Sequence, residues 1–223
     1  MEKNEKSVLQ FLFHSSDRRS YSTRKMDRFN KIIEVQKGTM KMKRIPLTML
    51  RHDLYNIPDY SLPGGFQLKS FKEGDELSWA EIETDAGEFE HSNAALERFV
   101  TEFGSKNQKL TERCLFIENS TGEKIGTAMA WYGDLDEEHQ AIGRIHWVGI
   151  IPAYQGMKLS KPLLSATLRN LAVYHQQAYL TSQTTSFQAV NMYLDYGFKP
   201  YVKSATCYEA WSLMEDVLHR SIL

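Results

Sequence analysis

Residues 145–164 read IHWVGIIPAYQGMKLSKPLL, and residues 178–198 read AYLTSQTTSFQAVNMYLDYGF. The first stretch closes a β-branched run over 142–151 that predicts a strand stopped by Pro152. A polar turn with Gly156 follows. A helix is then expected over 160–176, with Leu164, Leu168, Leu171 and His175 spaced along its inner face. Pro162 falls in the first turn of that helix, where its missing N–H would be unpaired anyway. The second stretch predicts a strand over 178–182 and a helix over 185–196, stopped by Gly197 at its C-terminal cap. Strand, glycine-bearing turn, helix and strand is an α/β order that requires parallel pairing, because parallel neighbours need a crossover.

Upstream the punctuation stays regular. Pro63-Gly64-Gly65 marks a turn, and residues 66–71 alternate apolar and polar as a strand does. A helix over 75–86 carries Trp79, Ile82 and Ala86 at helical spacing. A second helix starts at Ser92 as its N-cap, with Leu96, Phe99 and Phe103 on one face. Strands over 113–118 and 124–132 flank the hairpin turn Asn119-Ser120-Thr121-Gly122. Residues 134–138 are acidic but lack the glycine and ligand spacing of a calcium loop, so they read as solvated. Downstream, a strand is expected over 201–203, then a helix bearing Trp211, Leu213, Met214 and Leu218.

Composition sets the class. The chain has 223 residues, 42% apolar, 25% charged and 12% aromatic, which excludes wholly disordered, collagen-like and disulfide-rich chains. Cys114 and Cys207 are the only cysteines and no zinc spacing surrounds them, so two reduced thiols in a cytoplasmic protein without metal are expected. No apolar run approaches the ~20 residues of a membrane helix. The net charge of -1 hides a split: residues 1–44 hold 12 Lys and Arg against 5 Asp and Glu, while residues 45–223 hold 15 against 23. This divides the chain into a basic extension over 1–44, with patchy helical spacing at Phe29, Ile32 and Ile33, and an acidic main domain over 45–223. Basic and aromatic residues at Arg18, Arg19, Tyr21, Arg24 and Lys25 are loosely those of a nucleic-acid arm, but a solvated, partly disordered extension is the reading preferred.

The turn Gln155, Gly156, Met157, Lys158, Leu159, Ser160 lies between a strand and a helix, so its amides can converge on a phosphate, with Lys158 and Lys161 adding charge. A plain β–α turn is the competing reading, and the spacing matches neither a Walker loop nor a Rossmann fingerprint.

Taken with residues 178–198, this stretch resembles the core of the GNAT superfamily, the GCN5-related N-acetyltransferases. That family's phosphate turn is Gln/Arg-x-x-Gly-x-Gly/Ala after a β-branched strand and Pro-x-Tyr. Gln155 matches, Lys158 stands at the first glycine, Ser160 at the Gly/Ala, and Gly156 is an extra glycine in the same turn. The later pattern, Asn-x-x-Ala-Ile-x-Leu-Tyr-x-x-x-Gly-Phe, is met by Ala189, Val190, Met192, Tyr193, Gly197 and Phe198, with Ser186 in place of the Asn. The resemblance spans about residues 65–205.

It implies a layered α/β fold: a central mixed, mostly antiparallel twisted sheet with one parallel splayed pair, flanked by helices. It implies acetyl-CoA as co-substrate, with pantetheine beside Val148, Gly149 and Ile150 as an added strand would lie, and phosphates on the turn through Lys161, with Ser186 also nearby. The reaction is direct attack of a small-molecule or peptide amine on the thioester, and Tyr193 is its general acid. A non-catalytic acyl-CoA sensor is the alternative.

For the base, His146 lies two residues before Val148 and so should share its strand face. Glu81, Asp85 and Glu88 repeat along one face of the first helix, where a cationic amine could be drawn. Tyr193 and His146 also read as ordinary core residues, the three acids as a solvated face, and Trp79, Trp131 and Trp147 as core or as pocket wall. Neither a membrane nor a nucleic-acid partner is expected, and the oligomeric state, a homodimer included, stays open.

Overall fold

The computed structural model describes residues 33–36, 39–104 and 106–223. Its elements in chain order are β1 (Ile33–Gln36), β2 (Thr39–Met42), β3 (Pro46–Arg51), β4 (Phe66–Ser70), α1 (Glu76–Asp85), α2 (Ser92–Phe103), α3 (Asn107–Arg113), β5 (Cys114–Asn119), β6 (Lys124–Gly133), β7 (Ile142–Ile150), α4 (Ser160–Tyr174), β8 (Ala178–Gln183), α5 (Phe187–Asp195), β9 (Lys199–Pro200) and α6 (Ala205–Leu218). Strands β1 and β2 form a hairpin of their own, and the other strands form a seven-stranded sheet in the order β4-β5-β6-β7-β8-β3-β9. The ladders β4/β5, β5/β6 and β6/β7 are antiparallel, whereas β7/β8 is parallel. This is the mixed, layered α/β sheet expected. No helix among the described residues is long and apolar enough to cross a membrane.

The chain divides into two compact units. One is Leu50–Leu180; the other combines the residues up to Met49 with Thr181–Leu223. Within Leu50–Leu180, alternation along β6 feeds two cores. Met129 and Trp131 enter a cluster with Phe71, Trp79, Phe99, Phe103 and Phe116, contributed largely by α1 and α2. Ala128 joins Ile117, Ile125, Ile150, Leu159 and Leu163 on the α4 side. Trp79 is the hub of the first cluster, with ring centroids at 5.0 Å from Phe99, 5.4 Å from Trp147, 6.1 Å from Phe89 and 6.5 Å from Phe103. A second knot sits near the start of β5. Arg113 donates to Ala130 O at 3.0 Å, and its guanidinium lies 4.0 Å from the Tyr174 ring centroid and 5.2 Å from that of Tyr132.

In the unit containing Thr181–Leu223, the fully buried Thr184 ties the two chain segments together. Its backbone N–H donates to Ile45 O at 3.0 Å, and its hydroxyl accepts from Ile45 N–H at 3.0 Å. Helix α6 is capped by Ser204, whose oxygen accepts from Cys207 N–H at 3.2 Å.

Several expectations shift. The N-cap of α2 is His91, whose Nδ1 accepts from Ala94 N–H at 3.1 Å, and Ser92 is the first helical residue. His175 is not a core residue of α4 but its C-cap, stacked on Tyr132. The strand expected over 201–203 is instead the two-residue β9 before it; Tyr201 N–H still bonds Thr48 O at 2.9 Å, but no ladder continues. Ile33, read on helical spacing, lies in β1, while Phe29, Ile32 and the basic residues 18–25 fall outside the described residues.

Trp79→Ala removes the hub of the aromatic cluster, and a loss of about 3–5 kcal/mol is expected in urea unfolding monitored by fluorescence and circular dichroism.

Candidate active site

The site is built on β7. Its ladder with β6 pairs Thr127 with Gly149 and Met129 with His146, so Ala128 alone faces Trp147 and Val148. That is a β-bulge, and Trp147 takes it up at φ +46°, a left-handed conformation that a bulky side chain adopts at a cost of about 1–2 kcal/mol. Packing holds it there. Trp147 packs edge-on to Trp79 and tilted against Phe89 and His146, and its Nε1–H donates to Glu102 Oε2 at 3.3 Å.

The bulge breaks the alternation that the sequence reading relied on. Val148 packs with the Ile125, Leu159 and Leu163 cluster. His146 turns to α2, where its Nε2 meets Glu102 Oε1 at 2.6 Å and its ring sits edge-on to Phe103. His146 and Val148 therefore do not share a face. Burial pushes the Glu102 carboxyl up, but the His146 and Trp147 bonds and the charge of Arg98, 3.0 Å away, overcome this and hold it at about 2. Burial conversely lowers the His146 pKa against the pull of Glu102, so the pair is best written as a carboxylate accepting from a neutral imidazole. Sequence reading missed Glu102, which no spacing links to residue 146.

It also missed Glu83. Trp79, Ile82, Glu83 and Ala86 repeat at i, i+3, i+4 and i+7, so an acid lies within the apolar stripe of α1. Glu83 is fully buried, and neither carboxyl oxygen has a hydrogen-bond partner. It faces Gly149: a Cβ built there would lie 3.1 Å from Glu83 Oε1 and 3.2 Å from Ala86 Cβ. Burial first, and the nearby Glu88 second, push its pKa up to about 8. By contrast Glu81, Asp85 and Glu88 are exposed, which makes them the solvated face of α1 and its following turn.

After β7, the turn has the features of an anion cradle. Gln155 Nε2 donates back to Ile150 O at 2.9 Å and closes it. Gly156 at φ +81° and Lys158 at φ +62° are both left-handed, so lysine keeps the conformation a glycine would adopt there. No side chain caps α4, whose N-cap is the buried Leu159. Gly156, Met157, Lys158, Ser160 and Lys161 are exposed, the last 5.2 Å from the Tyr60 ring centroid. Beside it, the β7/β8 ladder registers only Gly143↔Ala178 and Arg144↔Tyr179, while β7 runs on to Ile150. Val148, Gly149 and Ile150 thus lie beyond the registered β8 pairs and lead directly into the turn. Tyr193 and Ser186 belong to the other unit, where Tyr193 is buried with its ring 6.1 Å from Phe198, and Ser186 Oγ accepts from Gln183 Nε2 at 3.0 Å. Among the described residues, no group of three His, Cys, Asp or Glu side chains is placed to hold a metal ion.

A parallel pair whose register stops short and a glycine-bearing turn leading into a helix are the parts that the GNAT resemblance implies. The model of the Acetyltransferase (GNAT) family matches residues 76–198, more than half of the chain. The chain belongs to the GNAT acetyltransferase family. A curated relative, the mycothiol acetyltransferase of Paenarthrobacter aurescens (strain TC1), is 28% identical over 141 residues. The match covers 62% of this chain and 40% of that protein, so the chain spans about two fifths of its relative's length. Among solved structures, a GCN5-related N-acetyltransferase from Sphaerobacter thermophilus aligns at TM-score 0.56 and 20% identity, over 82% of this chain and 54% of the other. A protein from Pyrococcus horikoshii OT3 aligns at TM-score 0.52 and 19% identity, over 63% and 93% respectively. These likenesses bear on the fold.

The protonation of Glu83 gives a test. Between about pH 5 and 8 the unfolded chain carries this charge and the folded chain does not, so each pH unit costs the fold about 1.4 kcal/mol. The cost is absent below the unfolded pKa and levels off once the folded group ionises, near 8. Glu83→Gln is therefore expected to gain stability relative to the parent as pH rises across that window. Urea melts at pH 5 and pH 8 measure it; equal differences at both would mean an ionised Glu83.

Proposed function

We propose that the protein transfers an acetyl group from acetyl-CoA to a primary amine of a small molecule or peptide, by direct attack and without a covalent enzyme intermediate. The observation that carries this reading is that β7 runs on past its two registered β8 pairs and leads straight into the turn before α4, which no side chain caps. Backbone groups of Val148, Gly149 and Ile150 would pair with pantetheine amides, as an added strand does. The turn from Gln155 to Lys161 would hold the pyrophosphate through its amides and through Lys158 and Lys161. A β7 amide would also steady the oxyanion formed on attack.

Tyr193 is assigned as the general acid on the family pattern of residues 186–198. A phenol of pKa ~10 is well matched to protonate a departing thiolate. His146, fixed by Glu102, serves chiefly to hold Trp147 and the bulge in place, and the exposed Glu81 takes no part.

Calorimetric titration with acetyl-CoA and CoA, followed by thiol release over an amine panel, tests the proposal. Saturable binding with turnover supports it, binding without thiol release would favour an acyl-CoA sensor, and no binding would remove both. Tyr193→Phe should lower kcat by about 100-fold or more while leaving acetyl-CoA affinity unchanged. An unaltered rate would remove Tyr193 from the mechanism. Lys158→Gly keeps the left-handed turn but loses the cation, so CoA should bind about 10-fold more weakly and with less dependence on salt. Tighter binding would show instead that the side chain crowds the turn.

A further inference from the structure

We propose that Glu83 is the group that meets the acceptor amine and takes up its proton, and that the amine is borne on an apolar arm seated against Phe89 and Trp147. The inference rests on the acetyltransferase reading and deepens it.

Two unpartnered groups sit one turn apart on α1. Both oxygens of Glu83 and the Nε1–H of Trp79 are buried without a hydrogen bond. A buried carboxyl left unbonded is costly, and native folds retain few such groups without a use for them. Glu83 lies over Gly149, where a side chain would crowd its carboxyl, a built Cβ falling 3.1 Å from Oε1. Gly149 is also the middle of the three positions assigned to pantetheine, so the carboxyl lies against the stretch of strand that would carry the acyl donor. The surroundings are aromatic: Phe89 and Trp147, both partly buried, lie 5.3 Å apart and each touches the Trp79 ring. Ring faces of this kind accept an alkylammonium and the chain that bears it.

The charged neighbours are few. Glu88 adds negative charge from the turn after α1, while the Cys114 thiol at the start of β5, pushed up to about 12 chiefly by burial, stays neutral. The cations nearby are committed elsewhere, since Arg98 pairs with Glu102 over the Trp147 ring. An ammonium that arrives at the ionised form, which prevails above about pH 8, therefore supplies the counter-charge this carboxylate lacks. Transfer from an ammonium of pKa ~10 to a carboxyl near 8 is uphill by ~2 pH units, against ~6 for an exposed glutamate.

The step balances. The ammonium gives one proton to the Glu83 carboxylate, and the freed lone pair forms the C–N bond at the thioester carbonyl carbon. Collapse of the tetrahedral adduct breaks the C–S bond. The thiolate leaves with a proton from the acid, Tyr193 on the reading above; the nitrogen gives up its second proton, which restores the Tyr193 phenol by way of solvent, and Glu83 releases the first proton to solvent.

The test compares n-hexylamine with n-hexanol, titrated calorimetrically into CoA-saturated protein, for the parent chain, Glu83→Gln and Glu83→Met; the last fills similar space without a polar atom. The parent should bind the amine at least ~10-fold more tightly than the alcohol, and both variants should bind the two alike with CoA affinity unchanged. A parent without that preference, or variants that keep it, would overturn the proposal. Acetyl transfer to hexylamine is measured in parallel, where Glu83→Gln should lose ~100-fold or more in kcat; a parent rate retained by the variant overturns the role in proton uptake. A parent that prefers the amine yet releases no thiol from acetyl-CoA leaves the amine site standing and removes the transferase reading instead.

Discussion

Trp147 is held in a left-handed conformation inside an otherwise regular strand, and the arrangement of the Leu50–Leu180 unit around β7 follows from that constraint. Uncompensated, the backbone would relax and the bulge would slide or vanish. The rings of Trp79, Phe89 and His146 and the Glu102 carboxylate together make relaxation more costly than strain. The bulge in turn decides which side chains meet α1 and α2 and which meet α4. It turns His146 and Trp147 to the aromatic side while Val148 and Ile150 stay with the aliphatic core beneath α4.

Much of this architecture was legible in the chain. Alternation and turn residues located β4, β5, β6 and β7 to within a residue or two, because each is bounded by glycine, proline or an Asn-Ser-Thr-Gly turn. Strand β3 was not, since Leu47, Met49 and Leu50 are buried without a simple two-residue rhythm and the segment adjoins the basic extension. Helix α3 was missed for another reason: it is short and polar, and Leu110 is its one fully buried anchor.

The site divides along the same line. The turn from Gln155 to Ser160 is a local signal, carried by a contiguous run of residues, and it could be read directly. The bulge is not local. It exists only because β6 offers one residue where β7 offers two, and no rule of alternation within β7 anticipates a mismatch set by its partner. Glu102 meets His146 across 44 positions of sequence for the same reason. Glu83 differs, because its place in the Trp79, Ile82 and Ala86 stripe is local, but it sits amid the acids Glu81, Asp85 and Glu88, and residue type alone does not mark it off from that solvated repeat.

Gly149 carries a further consequence, for redesign of specificity. Its missing side chain leaves no slack: the space a methyl would fill is bounded by Glu83, Ala86 and Ile82, the last 3.3 Å from the built Cβ. The strand has already given up all the volume it has at this point. Room for a bulkier group directly over Gly149 must therefore be made from the helix side, by trimming Ile82, because the strand has no side chain there to remove. The backbone of β7 is a fixed floor at this point, and variation falls to the side chains around it, Ile82 of α1 together with Phe89 and Trp147.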